Sequence, residues 1–270
     1  MPDMAEAWVP LQAALTRLAL GRAPPEVTRW LHSARVLALE RPECDDGKVR
    51  PLALGMHLRR AISRAISRVF LTSVAAGVQP CEYSLGAGRG AEVMHRTVML
   101  DLDARGDVVK LSFDVSNAHN EFCRQVAADE IEAAVPELMA WARPYLEVEA
   151  LHAYTSPDGS VLELPKTRGG DQGDSVVNLL FPLAYRRASR KVEQVACNVD
   201  VDARTYSFQD DVELICKAGA ISAARAAFRE GCEGAGLRAN LSKDRLSPGR
   251  LLGPSSPLMR GFESIPTRRS

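Results

Sequence analysis

Three aspartates stand where this chain has to turn. Residues 108–113 read as a short extended run that ends on Asp114. Much later, Tyr206-Ser207-Phe208 and Val212-Glu213-Leu214-Ile215 read as the arms of a hairpin with Gln209-Asp210-Asp211 at its tip. Neighbouring strands lie about 4.8 Å apart, so if the run and the hairpin share a sheet the three carboxylates converge. Crowded carboxylates repel one another, and a hard divalent cation relieves that by taking their oxygens as ligands. Two such ions, roughly 3.5–4 Å apart, can activate an attacking hydroxyl and stabilise a leaving oxygen. Alone, the Asp-Asp pair does no more than close a turn. The constellation carries the reading, not the pair.

The rest of the composition narrows the class. With 46% hydrophobic and 25% charged residues among 270, the chain can bury one large core or two subdomains that share one. Its net charge is zero, so only the distribution of charge can point to a partner. The six cysteines are scattered without a Cys-x-x-Cys pair, which suits reduced thiols in an intracellular, cytoplasmic or nuclear protein. The five histidines show no ligand spacing with them, which argues against zinc. No run of 18 apolar residues and no signal-peptide pattern occurs, so no membrane association is expected.

Residues 5–40 alternate helical patterns with breaks, with Trp8, Leu11, Leu15 and Leu18 on one face and Val27, Trp30 and Leu31 in a second segment. Trp8, Trp30 and Trp141 read as packing anchors. Residues 49–55 read as extended. Residues 58–71 predict an amphipathic helix, with Arg60, Arg64 and Arg68 on one face and Ile62, Ile66 and Val69 opposite. Between Arg59 and Arg89 the only acid is Glu82, so this stretch is basic; a solvated arginine face is the plain alternative. Gly86-Ala87-Gly88-Arg89-Gly90 lacks a complete phosphate-loop spacing and reads as a flexible loop. Further helices are expected over 125–150, 175–192 and 220–233, a hairpin over 154–164, a short strand near Leu241 and a loose tail from Ser247.

Set in order along the chain, six segments resemble the motifs of reverse transcriptases, especially of the non-LTR (LINE-like) retrotransposon kind. Lys48-Val49-Arg50-Pro51-Leu52-Ala53-Leu54-Gly55 with Leu58-Arg59-Arg60 resembles the fingers motif, and Gln79 with Gly86 to Gly90 the block after it. Phe113-Asp114-Val115-Ser116-Asn117-Ala118-His119-Asn120 resembles the first palm motif. Gly169-Gly170-Asp171-Gln172-Gly173-Asp174-Ser175 is similar to the Gln-Gly-Asp motif, and Phe208-Gln209-Asp210-Asp211 to the aromatic-x-Asp-Asp turn. Gly236-Leu237-Arg238-Ala239-Asn240-Leu241-Ser242-Lys243 resembles the block that follows. Each motif is weak alone; their common order makes the resemblance specific.

The resemblance implies an α+β right-hand polymerase: an antiparallel palm sheet backed by helices, a mostly helical fingers subdomain, and a thumb absent or truncated. The expected division is 1–105 for the N-terminal segment and fingers, 106–246 for the palm, and 247–270 for a loose tail or the start of a further motif. The resemblance implies that Asp114, Asp210 and Asp211 hold two Mg²⁺ or Mn²⁺ ions and that Lys243 lies near the leaving pyrophosphate. Lys48 and Arg50 would neutralise the incoming deoxynucleoside triphosphate, with the backbone from Asp114 to Ala118, including Val115, and His119 beside it. Gln172 and Gly173 would approach nucleotide and template, while Arg60, Arg64, Arg68 and Arg89 would track phosphates of an RNA or DNA template with its primer.

Several positions depart from the pattern: Glu40-Arg41 stand where many relatives carry a lysine, and Val176, Val177 and Asn178 stray from the usual Pro/Leu-rich run after Gln-Gly-Asp. His119 stands where the family usually has Phe or Tyr against a ribose 2′-hydroxyl, and Gln209 is unusual in the turn. Three other readings stay open: a thumbless retroelement remnant that only binds nucleic acid, an RNA-dependent RNA polymerase, and a cyclic-dinucleotide synthase. An RNA polymerase would carry a second acid where Ala118 and His119 stand. The synthase reading rests on Arg168-Gly169-Gly170-Asp171 and finds its other blocks missing.

Overall fold

The computed structural model describes residues 4–40, 49–86 and 88–252. The chain opens with α1 (Met4–Ala19), α2 (Pro25–His32), β1 (Ala34–Glu40) and β2 (Val49–Gly55), followed by the long helix α3 (His57–Val78) and α4 (Gly90–Ala104). Next come β3 (Val109–Phe113), β4 (Val115–Ser116), α5 (Ala118–Glu121), α6 (Arg124–Ala134), α7 (Met139–Glu147), β5 (Ala150–Thr155) and β6 (Val161–Lys166). The last third holds α8 (Val177–Cys197), β7 (Arg204–Phe208), β8 (Asp211–Cys216), α9 (Ile221–Gly234), β9 (Arg238–Ala239) and β10 (Arg245–Pro248). The protein is α+β, with mixed sheets and helices.

Two four-stranded sheets organise it. The first has the order β2-β1-β5-β6, in which β1 runs antiparallel to β2 and parallel to β5. It draws its strands from both the 1–105 and the 106–246 segments. The second, β10-β3-β8-β7, is wholly antiparallel.

Alternation along β3 decides what faces what. Val109, Leu111 and Phe113 are buried and Lys110 and Ser112 half-buried, the two-residue period of a sheet with unlike faces. The apolar face packs on α8 and α9, where Phe113 stacks on Phe228 with centroids 4.2 Å apart. Each such side chain, fully buried, contributes about 1.5–3 kcal/mol. Gly231 lets α9 cross α8 closely, since a Cβ there would stand 2.7 Å from Ala188 Cα. A satellite cluster of Met94, Val98, Leu102, Val108, Tyr206 and Ile215 seats α4 on part of the opposite face. Asp114 continues the phase of Lys110 and Ser112 at the open end of that face.

Several elements differ from the sequence reading. Residues 34–40, expected within helical patterns, form β1, because β2 and β5 supply strand partners that local periodicity does not reveal. Trp8 and Trp30 are 54% and 57% exposed, and only Trp141 is a packing anchor. Val69 is exposed, since α3 turns Arg59, Ile62, Ser63, Val74 and Val78 inward instead. The tail begins in order: Ser247 pairs with Lys110 in β10, and Leu241 sits in a 3₁₀ turn rather than a strand. Helix α3 is long and apolar enough to cross a membrane by length and composition alone, yet here it packs against α1, α2 and α8.

Candidate active site

Strand register brings the aspartates to one edge. Phe113 lies opposite Val212, so Asp114 and Asp211 extend the same antiparallel pairing by one step. Asp210 precedes Asp211 in the β7–β8 turn. The carboxylate oxygen Asp114 Oδ2 accepts a hydrogen bond from Asn240 Nδ2 at 2.9 Å and lies 3.3 Å from Lys243 Nζ. The backbone N–H of Asn240 also donates to the Asp114 carbonyl, at 2.9 Å, so this residue grips Asp114 twice. Burial, and then the charges of Asp210, Asp114 and Glu213, raise the Asp211 carboxyl above its ordinary range, with Lys243 opposing. These groups border a cleft of about 400 Å³ that Asp114, Asp211, Lys110, Glu213, Lys243 and Arg245 help to line.

Among the described residues, no three His, Cys, Asp or Glu side chains close into a ready-made metal cage. Asn240 and Lys243 engage Asp114 Oδ2 instead. The donors are nevertheless those a hard divalent cation takes: carboxylate oxygens at the rim of an open cleft, with one oxygen of Asp114 outside both bonds.

Gln209 immediately precedes the two carboxylates of the turn and is held at four points. Its backbone is left-handed, φ 55°, which a side-chain-bearing residue adopts only under constraint. Its N–H donates to Glu82 Oε1 at 3.2 Å, and its amide nitrogen donates to Ser84 Oγ at 2.6 Å and the Asn178 carbonyl at 3.2 Å. Its Oε1 meets His119 Nε2 at 3.2 Å, while the His119 ring stacks on Phe181, centroids 4.5 Å apart. The Asn178 carbonyl is free for this because Pro182, four residues on within α8, has no N–H to give it. A proline inside an apolar helix was the sequence signal for this contact.

Arg59, quoted in the fingers motif but given no role of its own, is the largest fully buried side chain among the described residues. Its Nη2 lies 2.8 Å from Asp171 Oδ2 and 2.7 Å from Asp174 Oδ2, and its Nη1 donates to the His32 carbonyl at 3.0 Å. His152 Nε2 meets Asp171 Oδ1 at 2.7 Å. Burial alone would raise the Asp171 carboxyl, but the His152 hydrogen bond and the charges of Arg59, His152 and Lys166 hold it well below the carboxylate range. Gln172 and Gly173 lie exposed between these two anchored aspartates. They border a second cavity, about 180 Å³, with Leu52, Gly55 and Arg60.

The other predicted residues are dispersed. Lys48 lies outside the described residues. Arg50 is exposed on β2, and Val115 and Ala118 are buried, so only their backbones could face a ligand. Arg60, Arg64 and Arg68 form an exposed row on α3, and Arg89, 84% exposed, leads into α4. Asn240, Glu82, Asp171 and Asp174 join the site without having been singled out for these roles. The structure unites Asp114, Asp210, Asp211 and Lys243 at one edge and Arg60, Gln172 and Gly173 at a second cavity.

No family model matches the sequence, and no curated protein matches it. The fold does have counterparts of known structure. Telomerase from Candida albicans, solved with a TWJ fragment of telomeric RNA, superposes with a TM-score of 0.63 at 11% identity over 86% of this chain. Apo telomerase from Candida tropicalis gives 0.62 at 13% identity over 90% of this chain. The chain spans about half the length of those telomerase chains, 45% and 50% respectively. The fold is therefore reverse-transcriptase-like.

Proposed function

We propose that this chain is the fingers and palm of a reverse transcriptase of the non-LTR retrotransposon kind, adding deoxynucleotides to a primer 3′-end on an RNA or DNA template. The observation that carries this is Asp114 beside the Asp210–Asp211 turn at the edge of an antiparallel sheet, in a fold shared with telomerase. The β10-β3-β8-β7 sheet would be the palm, and α3 with the β2-β1-β5-β6 sheet the core of the fingers.

Asp114, Asp210 and Asp211 would hold two Mg²⁺ or Mn²⁺ ions, which when bound promote deprotonation of the primer hydroxyl and offset charge on leaving pyrophosphate. Asn240 would orient Asp114 through its bond to Oδ2, which leaves Oδ1 outside it. Lys243, now beside Asp114, is within reach of a phosphate that enters the cleft. Lys48 and Arg50 would meet the triphosphate, His119 the sugar, and Gln172 and Gly173 the template and nucleotide. Arg60, Arg64, Arg68 and Arg89 would follow template phosphates, a sequence-independent attraction weakened by salt. The scattered cysteines of the sequence would suit a reducing, cytoplasmic or nuclear compartment.

The test is primer extension on an RNA template with dNTPs and Mg²⁺ or Mn²⁺, beside Asp210→Asn. Extension by the unaltered protein and none by a folded Asp210→Asn variant is the expected result. Extension that survives Asp210→Asn overturns the metal assignment. Folded protein that binds primer-template but never extends it supports a nucleic-acid-binding remnant instead.

A further inference from the structure

Glu82 is the single acid between Arg59 and Arg89, and it does not sit among arginines in solvent. It is 4% exposed, and its bonds are all to neutral donors. Oε1 accepts from the backbone N–H groups of Ser84 at 2.8 Å and Gln209 at 3.2 Å, and Oε2 accepts from Ser207 Oγ at 3.0 Å. Burying a carboxylate without a cation is costly unless several donors converge on it. Here burial raises its carboxyl, while the bonds from Ser84, Gln209 and Ser207 act the other way.

The backbone around it is fixed independently. Residues 81–83 run alongside β7, with Ser207 N donating to the Cys81 carbonyl at 2.7 Å and Tyr83 N to the Ser207 carbonyl at 2.8 Å. Gly90 closes the other end of this loop, because a Cβ there would collide with the Tyr83 carbonyl. Glu82 is thus held at a set height beside the end of β7. From there its carboxylate reaches past Ser207 to Gln209, the residue of the β7–β8 turn whose backbone is left-handed.

We propose that Glu82 is a positioning residue for the Asp210–Asp211 turn: by accepting the Gln209 N–H it fixes the left-handed residue from which both carboxylates depart. The bond needs an acceptor, not a charge. Gln at 82 keeps an oxygen for Ser84 and Gln209 and turns its amide toward Ser207, whose hydroxyl then donates to the Cys81 carbonyl, already 3.2 Å away. Asp at 82 keeps the charge but is one methylene short of Gln209. The catalytic consequence rests on the polymerase reading; the structural consequence does not.

Two measurements separate them. Amide hydrogen exchange at Gln209, read by NMR, should speed up at least about tenfold in Glu82→Ala and stay near the unaltered rate in Glu82→Gln, with Leu214 as an unaffected reference. In primer extension, Glu82→Ala should lose kcat by on the order of 100-fold with little change in nucleotide KM, and Glu82→Gln should restore it to within a few-fold. Should Glu82→Ala not fold, Glu82→Asp takes its place with the same expected loss at Gln209. Unchanged exchange at Gln209 in Glu82→Ala or Glu82→Asp, or Glu82→Gln as damaged as they are, overturns the proposal. If no variant extends primers, the unaltered protein included, the polymerase reading falls while the exchange result still decides the role of Glu82.

Discussion

Replacing Arg59 by Met should cost about 3–5 kcal/mol of stability, the range for breaking a buried ion pair from one side. The structure places this case toward the upper part of that range. One guanidinium serves two carboxylates, with the side chains of Arg59, Asp171 and Asp174 only 0%, 4% and 5% exposed. Removing it strands two charges rather than one, although His152 stays with Asp171 and Ser63 near Asp174. It also strips the His32 carbonyl of its donor and the Tyr145 ring of the cation 4.9 Å from its centroid. Met fills the stem's volume without strain, so little of the loss would be packing.

Urea unfolding followed by circular dichroism reads the cost, and thermal melting should fall by on the order of 10 °C. A second arm isolates the cause. In Arg59→Met/Asp171→Asn/Asp174→Asn the stranded charges are gone, and each Asn retains an oxygen for His152 or for the Val176 N–H, 3.0 Å from Asp174 Oδ1. The triple variant should therefore be more stable than Arg59→Met, a non-additivity expected only of charges that share one network. An Arg59→Met cost below about 1 kcal/mol, or a triple variant no more stable than the single one, would refute Arg59 as the buried cation that holds Asp171 and Asp174.

Three other outcomes follow from the same contacts. Burial first, then the Arg59 charge, lowers the His32 pKa from 6.5 to about 3; because the folded value is the lower one, stability is lost as pH falls through that window, by up to about 1.4 kcal/mol per pH unit. His32→Phe should flatten that slope in urea titrations between pH 7 and 4, and an identical slope would rule His32 out as its source. Asn240→Ala, which leaves Lys243 as the one described partner of Asp114 Oδ2, should weaken Mn²⁺ binding measured by electron paramagnetic resonance by about 10–100-fold, as loss of outer-sphere partners does; unchanged affinity would sink the orienting role. Replacing Arg60, Arg64 and Arg68 by Ala should lower the slope of log affinity against log salt for primer-template by about one per lost phosphate contact, and an unaltered slope would leave that face a solvated one.

What the sequence discloses here is what is local. Residues 108–113 alternate and end on an acid, so β3 and Asp114 can be read from six neighbours, and α8 and α9 follow from apolar spacing. Strand β1 cannot be read so, because Ala34-Arg35-Val36-Leu37-Ala38-Leu39 suits either periodicity and its partner His152 lies far along the chain. Helix α4 begins at a glycine with no side-chain cap, leaving only Met94, Val98 and Leu102 to announce it. Strand β10 hides in a Pro/Gly-rich stretch, tolerated because it is an edge strand ending at Pro248. The hidden polar residues share one cause. Glu82 meets Gln209, and Arg59 meets Asp171 and Asp174, across more than a hundred residues, and no pattern in a short window encodes such a pairing.

Two of the departures from the reverse-transcriptase pattern show what that non-locality conceals. In sequence, His119 and Gln209 are separate oddities; in the fold they are one hydrogen bond of 3.2 Å. The amide's orientation is set, since the Asn178 carbonyl can only accept and so takes the Gln209 nitrogen. That turns Gln209 Oε1 toward His119, and a carbonyl oxygen there requires the proton on His119 Nε2. An aromatic without a donor at 119 would leave Oε1 half-buried and unpaired, while an apolar residue at 209 would do the same to the imidazole N–H. This hydrogen bond thus ties the residue beside the proposed sugar site to the turn that carries Asp210 and Asp211.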